Sequence, residues 1–161
     1  MLGAFAGAAM VCVPVSVAAV PLENPLRFFE GRTESVGTMR MIMKKPYRVR
    51  SIGQGKITAD GSLILVQKVQ DDGEPPKERT WRIRRVGPGK FSGTMTEARG
   101  PVTIEQVGEG YRFRFKIHGG LSVEQWVTPD PGGRTGSSKL TIRKYGMKVA
   151  SSDARIRKLS D

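Results

Sequence analysis

At 161 residues and 38% hydrophobic content, the chain is long and apolar enough for one domain with a real core, which excludes a disordered protein and a multi-span membrane protein. Its 27 Lys and Arg against 15 Asp and Glu leave a net charge of +12, which favours anionic partners: phospholipid headgroups, lipopolysaccharide, peptidoglycan polymers or nucleic acid. The single cysteine, Cys12, excludes a disulfide framework, and it lies in an N-terminal apolar run whose removal would also exclude thiolate and cysteine-metal chemistry.

Met1 to Leu22 carries no charged residue, and Ser16-Val17-Ala18-Ala19 is a small-residue run suited to signal-peptidase cleavage. Residues 1–19 are therefore read as a signal peptide, with the protein exported to the periplasm or cell envelope. No Lys or Arg precedes the apolar stretch, and it reaches the roughly 20 residues that span a bilayer, so a retained anchor is the alternative. The residues before Cys12, Ala9-Met10-Val11, lack the small residue expected next to a lipidated cysteine. Residues 23–161 then form a single domain.

Glu23 to Gly31 is predicted as a short helix, capped by Asn24, with Pro25 at its first position and Gly31 at its end. In a barrel such a segment closes one end, so Phe28 and Phe29 either plug the core or line a ligand mouth. From Val36 onward the pattern is strands and turns. Val36–Met43 alternates, with Met39, Met41 and Met43 on one side as an adaptable apolar surface. Tyr47–Thr58 carries Gly53 and Gly55 where a barrel strand would bend, and Asp60-Gly61 is a hairpin turn. Ser62–Gln70 follows, then a loop at Asp71-Asp72-Gly73-Glu74-Pro75-Pro76. Glu78–Val86 puts Arg79, Trp81, Ile83 and Arg85 on one face and Arg82 and Arg84 on the other. Lys90–Glu97 and Val102–Val107 lead to the clearest strand, Tyr111–Ile117. There Tyr111, Phe113, Phe115 and Ile117 alternate with Arg112, Arg114 and Lys116. Leu121–Thr128, a flexible loop at Pro129–Ser137, Lys139–Tyr145 and Met147–Leu159 complete the chain. Trp126 lies out of phase with Leu121, Val123 and Val127, so either a face assignment fails there or a bulge intervenes.

Turn signals recur roughly every 9–15 residues with no helical period between them, which excludes βαβ winding. The predicted fold is all-β: an antiparallel meander of about 8–10 strands closed as a barrel, with a two-sheet sandwich as the alternative. The order of the segments Phe28-Phe29-Glu30-Gly31-Arg32-Thr33-Glu34, Asp60-Gly61-Ser62-Leu63, Asp71-Asp72-Gly73-Glu74 and Arg79-Thr80-Trp81-Arg82-Ile83-Arg84-Arg85, closing on Lys144-Tyr145-Gly146-Met147-Lys148-Val149, resembles the uncharacterised bacterial family known as domain of unknown function 3833. The similarity runs through nearly everything after residue 25. It is strongest in the Phe-Phe-Glu-Gly entry and the Arg-Thr-Trp-Arg-Ile strand. The resemblance implies a lipocalin-like fold and an envelope location. Family members look like exported lipoproteins, from which this chain departs at Cys12. The family has no established activity, so no catalytic residue is carried over.

No catalytic constellation, metal pattern or cofactor motif stands out, and a non-enzymatic protein without a cofactor is expected. His118 sits in a turn beside Gly119-Gly120, and the aspartates at Asp60, Asp71 and Asp72 are explained by turn chemistry. An enzyme would need interior polar residues such as Gln67, Glu124 and Tyr145 to converge. The aromatic residues Phe28, Phe29, Trp81, Tyr111, Phe113 and Phe115 are the candidate ligand-binding interior, for an apolar or amphiphilic molecule such as a lipid. Arg82, Arg84, Arg112, Arg114 and Lys116 are the candidate exterior surface for anionic lipid or polymer. Nucleic acid is disfavoured by the leader and by aromatics facing away from the arginines, and a monomer is expected.

Overall fold

The computed structural model describes residues 24–161, so the expected leader and Cys12 lie outside the described residues. Ten antiparallel strands follow one another around a closed barrel: β1 Gly31–Met41, β2 Tyr47–Ile57, β3 Leu63–Asp71, β4 Lys77–Gly87 and β5 Lys90–Met95, then β6 Val102–Val107, β7 Gly110–Ile117, β8 Leu121–Pro129, β9 Thr135–Lys144 and β10 Met147–Ser160. Closure comes from β1, which pairs with β2 on one side and with β10 on the other, running from Arg32↔Ser160 to Met41↔Ala150. No strand is left as an edge, which removes the liability of unpaired backbone groups.

Alternation sets the inside. Leu63, Leu65, Trp81, Ile83, Phe113, Phe115, Val123 and Ile156 belong to one buried core, while Arg82, Arg84, Arg114 and Lys116 point outward. A 3-10 helix, Pro25–Phe29, is tucked under one end. The Asn24 side chain accepts a hydrogen bond from the Leu26 N–H at 3.1 Å, and Leu26 and Phe28 are almost fully buried. This plug requires Gly55, because a Cβ there would stand 1.8 Å from the Phe29 carbonyl oxygen. The β2–β3, β4–β5, β6–β7 and β8–β9 connections share the plugged end, and the other five form the opposite rim.

Several expectations need correction. The helix stops at Phe29 rather than at Gly31, with Glu30 as its C-cap, and Gly31 opens β1. That strand begins five residues before Val36, because its inward residues Thr33 and Ser35 are polar and hide the alternation. Met43 leaves the Met39 and Met41 face for the β1–β2 turn, where it is fully exposed at a φ of 61°. β9 starts at Thr135, not Lys139, pairing Ser137 with Thr128 and Gly136 with Pro129, so the loop shrinks to residues 130–134. Here the inward residues are small because the Phe28 ring fills the space: a Cβ on Gly136 would sit 2.9 Å from its Cζ. Arg85 keeps the phase of Trp81 but lies at the register shift between Arg85 and Gly87, where it is exposed. Trp126 faces outward on an unbroken β8, beneath Arg112, whose Cζ is 5.6 Å from the ring centroid.

Candidate functional site

The interior is partly hollow. A cavity of about 230 Å³ runs from Phe29 on the plug towards the opposite rim. That is below the roughly 300–1,000 Å³ of ordinary small-molecule sites, which suits a small or slender ligand.

The two sides of this cavity differ. On β3, β4, β5 and β7 the lining is apolar and bulky: Leu65, Trp81, Ile83, Met95, Phe113 and Phe115. Across from it, β1, β2, β9 and β10 contribute Thr33, Ser35, Ser51, Ser138 and Ser152, with Gly37 and Ala154 between them and the apolar Met39, Val49, Leu140, Ile142 and Ile156 interspersed. The small residues create the space, and the hydroxyls leave it partly polar.

An aromatic ladder spans the apolar side. Phe28 meets Phe29 edge-on at 5.2 Å, Phe29 meets Phe113 at 6.3 Å, and Trp81 meets Phe113 at 6.1 Å and Phe115 at 5.7 Å, all near perpendicular. Two half-buried amides anchor the polar groups. The Trp81 Nε1–H donates to Gln67 Oε1 at 2.7 Å, and Gln125 Nε2 donates to Ser138 Oγ at 2.8 Å.

Charge appears towards the open rim, where Asp71, Lys77, Arg79 and Glu97 line the cavity. Arg79 grips Glu97 with Nε at 2.8 Å and Nη2 at 2.6 Å from Oε2. Tyr47 donates to Met41 Sδ at 3.4 Å nearby, and burial, then Asp71 and Glu74, push its hydroxyl pKa upward. Arg99 donates to His118 Nδ1 at 2.8 Å on the same rim, which gives His118 a structural partner.

Of the candidate aromatic residues, Phe29, Trp81, Phe113 and Phe115 line the cavity together. Phe28 and Tyr111 are buried outside the cavity lining; burial raises the Tyr111 pKa. The polar members Thr33, Ser35, Ser138 and Gln125 were missed, as was Glu97. Parity was the available signal: Gln125 shares its phase with Val123 and Val127. Gln67, Glu124 and Tyr145 do not converge, since Glu124 bonds the outward Trp126 at 3.3 Å and Tyr145 is an exposed turn residue.

The basic exterior is less free than its composition suggests. Glu105 takes Arg112 at 2.7 Å and Arg114 at 3.1 Å, and these arginines, Arg112 by hydrogen bond first, pull its pKa down. Arg82 and Arg84 lie on β4, separated from Arg112, Arg114 and Lys116 on β7 by two strands. Elsewhere Glu34, 6% exposed, is clasped by Arg50 at 2.7 Å and Arg157 at 2.6 Å. These hydrogen bonds, Arg50 first, lower its pKa. A surface groove of about 770 Å³ outside the plug is also basic, but its Arg27, Arg134 and Lys158 are engaged by Glu30, Asp161 and the Arg27 carbonyl. Among the described residues no cluster of three or more His, Cys, Asp or Glu is placed to hold a metal ion.

No protein-family model matches the chain, and no curated protein does. Solved structures do. An S-type phycobiliprotein lyase, CPES from Guillardia theta, superposes with a TM-score of 0.66 at 9% identity, over 84% of this chain and 91% of its own. Rv2717c from M. tuberculosis gives 0.62 at 11%, over 84% of this chain and 98% of its own. The fold is a lipocalin-like barrel. A protein of unknown function from the DUF3598 family of Nostoc punctiforme gives 0.62 at 7% identity, over 83% of this chain and 49% of its own. At these identities the likeness carries the fold alone.

Proposed function

We propose that this lipocalin-like barrel is an exported, non-catalytic carrier of a small amphiphilic, lipid-like molecule. The observation that carries the reading is the two-sided cavity, aromatic on one wall and mixed on the other, where hydroxyls alternate with aliphatic and small residues, closed by the plug and charged at the rim. An apolar tail would lie along Trp81, Phe113 and Phe115 down to Phe29. A polar head would rest near Arg79, which holds the only charge-assisted clasp described on the cavity lining. Export is supported by the leader-like run at 1–19, and the resemblance of the Phe-Phe-Glu-Gly and Arg-Thr-Trp-Arg-Ile segments to domain of unknown function 3833 points the same way. The net charge of +12 supports residence near anionic lipid.

Native mass spectrometry of the purified full chain, followed by solvent extraction, tests this reading. A stoichiometric small amphiphile supports it, as does saturable quenching of tryptophan fluorescence by a fluorescent fatty acid. A clean apo mass with no fatty-acid uptake refutes it. A second reading rests on the lyase among the fold neighbours: a reaction at the rim, with Arg79 and Glu97 as the charged pair. Turnover of a bound amphiphile, lost in Glu97→Gln with uptake intact, would favour it.

A further inference from the structure

Large apolar residues are exposed unevenly. At the open rim, Ile42 and Met43 in the β1–β2 turn are 63% and 101% exposed, and Tyr145 in the β9–β10 turn and Met147 at the start of β10 are 87% and 69% exposed. The two turns are neighbours, because β1 pairs with β10 at Met41↔Ala150 and the Ile42 N–H donates to the Val149 carbonyl at 3.0 Å. Four residues from two turns distant in the chain therefore converge on one tip beside the cavity mouth, which Met39 and Ile142 line from the same strands.

The backbone sharpens the point. Met43 at a φ of 61° and Tyr145 at 49° are the non-glycine residues with positive φ among the described residues. This left-handed region is uncommon for bulky side chains and ordinary for Gly, Asn and Asp. Tyr145-Gly146 is the two-residue loop of a hairpin closed by the Lys144↔Met147 pair, a place where Asn-Gly is the usual choice. Large apolar groups thus stand where folding alone favours small polar ones, which is the pattern expected when strain serves a function.

Charge says what these groups meet. Lys44 and Lys45 follow Met43, and Lys144 and Lys148 flank Tyr145 and Met147; all four are exposed, and Lys144 Nζ lies 5.8 Å from the Tyr145 ring. Neither turn carries an acidic residue. Apolar and aromatic residues ringed by lysine match the boundary of an anionic bilayer, where the former enter the headgroup region and the latter meet lipid phosphates. The next turn around the rim, β3–β4, holds Asp72 and Glu74 with Asp71 beside them, so it would be turned away and the barrel would dock tilted.

We infer that the Ile42–Lys45 and Lys144–Lys148 turns form a membrane-docking tip that seats the open end of the barrel on anionic phospholipid. The inference uses the open mouth of the proposed carrier but does not depend on the cavity being loaded.

Flotation of the closed barrel alone, residues 24–161 without the apolar N-terminal run, with vesicles of phosphatidylcholine and of phosphatidylcholine mixed with phosphatidylglycerol, tests it. Binding is expected only to the anionic vesicles, and weakening with salt. Met43→Asn/Tyr145→Asn suits the left-handed backbone, so its thermal midpoint should equal or exceed that of the parent while vesicle binding falls at least about tenfold. Lys45→Glu/Lys148→Glu should lose binding to a similar degree and keep its fold. Arg82→Glu/Arg84→Glu, on the barrel wall, should bind within about twofold of the parent. No binding by the parent, full binding by the asparagine variant, or an equal loss in the barrel-wall variant would each overturn the tip. Fatty-acid uptake by the same proteins reads the cavity separately: uptake without vesicle binding defeats this inference alone, and vesicle binding without uptake defeats the carrier alone.

Discussion

Phe113→Ala is the most informative perturbation of the interior. Phe113 is 6% exposed and stands edge-on to both Phe29 at 6.3 Å and Trp81 at 6.1 Å, so it joins the plug to the aromatic wall. A buried Phe→Ala change costs about 3–5 kcal/mol, combining lost transfer energy with the void left behind. The two edge contacts fall within that sum at roughly 0.5–1.5 kcal/mol each. The void is on the order of 100 Å³ and opens into the existing cavity, so neighbours cannot close it cheaply; at about 24 cal/mol per Å³ the cavity part alone is about 2 kcal/mol. Against a total stability of roughly 5–15 kcal/mol this is a large fraction. Urea melts followed by tryptophan fluorescence and far-ultraviolet circular dichroism should show the midpoint falling by about 2 M at an ordinary slope of about 1–3 kcal/mol/M. A fatty acid at about 100 times its dissociation constant should return about 2.7 kcal/mol to a binding-competent barrel. A loss under about 1 kcal/mol would show that Phe113 is not packed as described, and the ladder from plug to Trp81 would have to be abandoned.

Gln67→Leu should cost about 1–3 kcal/mol by leaving the buried Trp81 Nε1–H without its acceptor, and adding Trp81→Phe should recover part of it in a double-mutant cycle; a strictly additive cycle would contradict the bond. Gly55→Ala should cost about 1–3 kcal/mol in thermal or urea unfolding, because its Cβ meets backbone of the plug at 1.8 Å and neither side can move alone. Glu34→Gln should lower stability at neutral pH and flatten its acid limb. The folded pKa is depressed, so the stabilisation is present above the ordinary glutamate range and is lost as pH falls through the lower folded value. Parallel pH dependence of parent and variant below about pH 5 would sink that assignment.

The barrel of about 8–10 strands was legible because most of its strands alternate, and alternation survives any tertiary context that keeps one face dry. Where the inner face is not dry, the reading stopped: Thr33 and Ser35 made the start of β1 look like loop, and Gly136 and Ser138 did the same for β9. The aromatic wall could be assigned strand by strand, since Phe113 and Phe115 are in phase. Whether those rings meet other rings or open space was not legible, because it depends on residues opposite them across the barrel. Gly37, Ala154 and Ser152 are individually unremarkable in sequence, yet the pairing of β1 with β10 gathers them into the small wall that leaves the cavity open. Trp126 failed the phase rule for a related reason. Its partner is Arg112 on the outside of the neighbouring strand, a pair set by the register of β7 with β8.

The positions of the small wall and the exposed tip fit together. Both belong to β1, β9 and β10 with their turns, so the side of the barrel least filled inside is the side proposed to touch lipid at its rim. The charged rim residues Asp71, Lys77, Arg79 and Glu97 lie on β3, on β4 and just after β5, away from the lysine-rich turns. An amphiphile leaving a bilayer at the tip would therefore pass Met39 and Ile142, slide its tail towards Phe113 and Phe29, and leave its head facing Arg79. In that arrangement the polar wall is no defect of the core. On the proposed carrier reading it would be the face along which the head travels, where hydroxyls of Ser35, Ser51 and Ser152 would replace lost water bonds one at a time. Replacing Ser51 and Ser152 with valine should then slow uptake from vesicles more than it weakens binding at equilibrium. An equal effect on both would mean that these hydroxyls serve the bound state and not the path into it.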